Sequence, residues 1–122
     1  MSLLNAESQH KKIDVPIYGS QFVVCKGTEK ENRSFLKKEL GFKPKETLLP
    51  DDYLGRLLPL RCSVTGRPIW VLLFPSGKDS ELEAHTVVHE LYHLTREILE
   101  YHGVEDEEAG AYLIGWLSES FL

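Results

Sequence analysis

The sequence predicts an α+β domain in which a small antiparallel sheet, an N-terminal strand plus a β-hairpin, packs with a short helix, a long helix and a C-terminal helix. Three observations predict it. Strand-like apolar stretches dominate up to Phe74, and beyond Ser80 the apolar residues recur at helical spacing. Two of the early stretches, residues 57–62 and 69–74, flank a glycine-containing turn, as in a hairpin. The chain has 122 residues, 42% hydrophobic and 27% charged, which suits one soluble domain with a modest core and no separate substrate domain.

The elements follow in order. Residues 1–12 are mostly polar and are expected to be flexible. Residues 15–26, VPIYGSQFVVCK, are rich in β-branched and aromatic side chains, so a first strand is expected at 21–25, closed by Gly27 and Thr28. Between Glu29 and Gly41, Phe35, Leu36 and Leu40 recur at helical spacing among charged residues, and Gly41 is placed to stop the helix. Pro44 and Pro50 mark a loop. In the hairpin, Pro59 and Pro68 must sit at an edge or a strand start, because proline has no N–H for the ladder. Ser80 with Glu83 forms a capping box for the long helix, whose stripe is Leu82, Val87, Leu91, Leu94, Ile98 and Tyr101, up to a stop at Gly103. The last helix opens on Asp106, Glu107 and Glu108, acids at the positive end of the helix dipole, and its stripe is Ala109, Tyr112, Leu113, Trp116 and Leu117.

Composition narrows the function. The formal charge of −5 speaks against nucleic acid as the main partner, since phosphate contact calls for a basic surface. Lys37, Lys38, Lys43 and Lys45 read as a solvated helix end. No apolar run approaches the roughly 20 residues of a membrane helix, and the first residues lack the basic start and long apolar middle of a secretory signal. The expectation is a cytoplasmic protein. Cys25 and Cys62 lie in separate apolar stretches and read as reduced, buried thiols.

The long helix carries His89-Glu90-Leu91-Tyr92-His93. Residues four apart share a helical face, so His89 and His93 can turn their imidazoles to one ion, and Glu90, one step round, can reach a water bound to it. Zinc suits two neutral imidazoles with a position left for water. The ion acidifies that water and Glu90 takes its proton.

With this HExxH string, a hairpin before it and Glu107-Glu108-Ala109-Gly110-Ala111-Tyr112 after it, the chain resembles the zincin metallopeptidases, in particular the small gluzincins with their phage and prophage members. The resemblance covers residues 57–122 and implies zinc, a peptide or protein substrate, Glu90 as the catalytic base and a third metal ligand from the following helix. It assigns that role to Glu108, whose Ala111 three residues on fits the family pattern. It also implies that the strand at residues 69–74 walls the cleft as an edge to which an extended substrate adds. On a helical wheel Glu108 flanks the apolar stripe and Glu107 lies nearly behind it. A helix continuing to His102 would carry the chain about 13 Å past His93, which leaves Tyr112 and Glu107 open as alternatives. His85 reads as a surface or supporting residue, and His10 and His102 take no role.

The expected function is therefore a zinc-dependent peptidase. The competing reading is a non-catalytic phage or prophage protein that keeps the scaffold with a structural or lost metal. A third is an adaptor docking through the apolar residues of 116–122.

Overall fold

The computed structural model describes residues 9–15, 18–76 and 84–119. In chain order the elements are β1 (Gln9–Val15), β2 (Ser20–Lys26), α1 (Glu29–Leu40), β3 (Arg56–Arg61), β4 (Pro68–Phe74), α2 (Ala84–Tyr101) and α3 (Glu107–Glu119). The fold is α+β, with the four strands in the order β1-β2-β4-β3.

Two strand expectations need correction. Part of the stretch expected to be flexible, from Gln9 on, is strand β1, antiparallel to β2 with Ile13 opposite Phe22. Its polar residues disguise it: only Val15 is fully buried, because β1 is an edge strand held by its backbone ladder. The sheet is also mixed rather than antiparallel. β2 runs parallel to β4, with Gln21 opposite Ile69 and Lys26 opposite Phe74, because α1 and the loop after it return the chain to the far side of the sheet. Consequently β4 is internal, and the edge beside it is β3, paired antiparallel with β4. Pro59 lies in that edge strand and Pro68 starts β4, the two places the missing N–H allows.

The sheet buries both faces. Phe22, Val24, Trp70, Leu72 and Phe74 pack with Val87, Leu91, Leu94 and Ile98 of α2 and with Leu113 and Leu117 of α3. Val23, Cys25, Val71 and Leu73 pack on the other side with Leu36 of α1 and Leu48 of the following loop. This two-sided burial explains why β2 and β4 read as unbroken apolar runs. Glu29 fixes the loop: its two carboxylate oxygens accept from the one backbone N–H of Leu48 at 3.1 Å and one of them from Arg33 Nε at 2.7 Å, while Arg33 donates to the carbonyls of Pro44 and Glu46. Leu48, 1% exposed, is thereby pinned into the core; truncating such a leucine to alanine costs about 2–5 kcal/mol.

Helix α1 has a full capping box, Thr28 with Glu31, and ends on Gly41 at φ 65°. The expected box at Ser80 and Glu83, and Leu82, lie outside the described residues. Helix α2 stops where the glycine predicts: Gly103 has φ 68°, Val104 N–H donates to the Leu99 carbonyl and Gly103 N–H to that of Glu100. That is the Schellman arrangement. Asp106 then caps α3, accepting from Glu108 N–H at 3.0 Å. The stripe of α3 is narrower than its sequence suggests, since Leu113 and Leu117 are buried while Tyr112 is 78% exposed and Trp116 38%. Among the described residues no helix is long and apolar enough to cross a membrane.

Candidate metal centre

Helix α2 presents its apolar stripe to the sheet, and this fixes the orientation of everything between the stripe positions. Leu91 and Leu94 are fully buried, so His89 and His93 fall on the outer side, where both are exposed. Glu90 lies between the two environments. It is only 7% exposed and faces the chain entering β3, where Gly55 leaves it room.

The two imidazoles meet. His89 Nε2 and His93 Nε2 are 3.2 Å apart, and the rings stand edge to face with centroids at 4.7 Å. Two nitrogens bound tetrahedrally to one zinc at about 2.0–2.1 Å each are separated by about 3.3–3.4 Å. The pair, joined here by a hydrogen bond between the rings, is thus spaced close to the span one ion requires. Glu90 Oε1 stands 4.0 Å from His89 Nε2, beside the pair without joining it. Such a placement suits a group that handles protons next to an ion better than one that binds it.

The structure does not bring Glu108 to the imidazoles. Among the described residues no three His, Cys, Asp or Glu side chains gather as a metal-holding group. The reason is the length of α2, which runs on to Tyr101, eight residues or about 12 Å beyond His93. Gly110 packs near Leu99, so the start of α3 lies at the far end of α2. Glu107 and Glu108 are both exposed; Glu108 borders a groove with Val15, Tyr18, Ala109, Tyr112 and Trp116, which neither imidazole lines. The donor set thus fits zinc in its two imidazoles, and no third protein ligand stands beside them among the described residues.

Sequence reasoning missed one polar pair. Ser20 Oγ and His102 Nε2 are 2.8 Å apart, and the rings of Tyr18 and Tyr101 flank that imidazole at 5.3 and 5.0 Å. These residues border a cleft of about 700 Å³ shared with Asp14, Cys62 and Arg67. Among the described residues no carboxylate is hydrogen-bonded to His102, so no orienting acid of a nucleophilic triad stands there. The pair ties the residue after α2 to the first residue of β2. Its members are 82 positions apart, a juxtaposition no local pattern signals. His10 likewise finds a structural partner, Asn32 Oδ1 at 2.8 Å.

The two cysteines differ. Cys25 is buried, and desolvation pushes its thiol up to about 12. Cys62 is half-buried, which corrects the expectation of burial; the Thr65 hydroxyl and the backbone N–H groups of Thr65 and Val64 donate to its sulfur and pull its pKa below the ordinary thiol value.

No protein-family model matches the chain, and no curated protein or solved structure matches it.

Proposed function

We propose that the chain is a zinc-dependent peptidase whose ion is held by His89 and His93 and whose proton carrier is Glu90. The observation that carries this reading is the 3.2 Å approach of the two Nε2 atoms with a largely buried carboxylate 4.0 Å from one of them. Zinc, when bound, supplies positive charge that acidifies a water and polarises a carbonyl. The protein's own groups do the rest. His89 and His93, both exposed, are the two side chains whose ring nitrogens would hold the ion. Glu90, held by its burial, accepts a proton from the attacking water and gives it to the leaving amine nitrogen.

The substrate in this reading is an extended peptide laid along β3, the open edge nearest Glu90. The wall expected from residues 69–74 moves one strand outward, because β4 is already paired on both sides. Pro59 gives that edge no N–H, so a peptide added there would lack one ladder bond at its position. The resemblance adds Glu108 as third ligand. Its placement at the far end of the helix pair favours a second reading, a scaffold that keeps a two-imidazole metal site without catalysis.

One substitution separates them. Glu90→Gln should retain zinc at the parent stoichiometry while lowering peptide hydrolysis by about a hundredfold to ten-thousandfold, the usual worth of a general base. Equal turnover by the variant and the parent would remove Glu90 from the chemistry. Full zinc occupancy with no turnover by the parent on a broad peptide library would establish the non-catalytic scaffold instead.

A further inference from the structure

Glu90 is confined by a residue without a side chain. A Cβ added at Gly55 would stand 3.1 Å from Glu90 Cγ and 3.3 Å from both Cδ1 and Cε1 of Phe74. The φ of Gly55 lies outside the left-handed range, so space and not backbone conformation is what calls for glycine here. Of the three parties to that contact, two cannot yield. Arg56, the next residue, is locked into β3 opposite Leu73, and the Phe74 ring is fully buried against α2. Glu90 retains a little freedom, its side chain being 10% exposed.

We propose that Gly55 is the positioning residue of this site: the bare backbone before β3 is the surface against which the Glu90 methylenes rest, and it determines where the carboxylate stands beside the imidazole pair. Any side chain at position 55 displaces Glu90 by a few tenths of an ångström, because Glu90 is the partner that gives. Displacements of that order matter for a proton carrier: where about 1 Å can cost a hundredfold in rate, a few tenths of an ångström cost about threefold to fivefold. The catalytic part of this inference rests on the peptidase reading; the contact itself does not.

The test is a double-mutant cycle on the full chain, with Gly55→Ala, Glu90→Ala and the pair. In the parent background Gly55→Ala should lower the melting temperature by about 4–8 °C through overpacking. In the Glu90→Ala background, where the obstructing Cγ is gone, the same change should cost less than half as much. If Gly55→Ala alone fails to fold, the double variant should fold. An equal drop in both backgrounds overturns the proposal. With zinc bound, Gly55→Ala should lower kcat about threefold to fivefold with KM unchanged and a full equivalent of metal retained. A coupled cycle with unchanged kcat in an active parent overturns the positioning role. If the parent hydrolyses nothing, the peptidase reading fails, while the cycle still decides the contact.

Discussion

Removing one imidazole should abolish zinc-induced stabilisation while leaving the metal-free fold almost untouched, and the structure sizes both effects. The His93 ring is exposed; its hydrogen bond is with His89 and its ring contacts are with His89 and Tyr92. An exposed substitution of this kind changes stability by no more than about 0.5 kcal/mol. Unfolding entropy near the midpoint is about 2.1 cal/mol/K per residue, or about 0.26 kcal/mol/K for this chain, so His93→Ala should move the metal-free melting temperature by about 2 °C or less. Zinc at a hundred times its Kd adds about 2.7 kcal/mol to the folded state. That raises the parent melting temperature by about 10 °C. Differential scanning calorimetry with chelator and then with zinc should show this rise in the parent and its loss in His89→Ala and His93→Ala. A parent indifferent to zinc would sink the metal site itself. A variant that keeps the full 10 °C would show that the ion sits elsewhere.

Two further outcomes can be checked with the same protein. Alkylation of the native chain at neutral pH should modify Cys62 and spare Cys25 until the chain unfolds, because three donors favour the Cys62 thiolate whereas burial holds the Cys25 thiol protonated up to about 12; peptide mapping showing equal labelling would refute this. Glu108→Ala and Glu107→Ala, compared by zinc titration, separate the resemblance from the geometry. A marked loss of affinity in Glu108→Ala alone would mean that α3 swings its first turn toward His93 when zinc binds, whereas parent-like affinity in both, the outcome the structure supports, leaves the ion on two imidazoles.

The parts of this fold legible in the sequence are those written in local periodicity. The stripe of Val87, Leu91, Leu94 and Ile98 and the stop at Gly103 account for α2 over Ala84–Tyr101, and the hairpin follows from two apolar runs around Gly66. β1 was not legible, because an edge strand takes its stability from backbone bonds, and its side chains can be as polar as Lys11 and Lys12. Nor was the parallel pairing of β2 with β4, which depends on where α1 returns the chain. The site divides along the same line. His89 and His93 lie four apart on one helix, so helical geometry alone carries their nitrogens to 3.2 Å. Glu108 required a long-range fact, the length of α2 relative to the start of α3, and Gly55 required another, the path by which the chain enters β3. A glycine chosen for space leaves no trace in hydrophobic period or turn chemistry. Its meaning lies in the atom it leaves room for, here a methylene of the buried acid that follows His89 in sequence and stands 4.0 Å from its Nε2 in space.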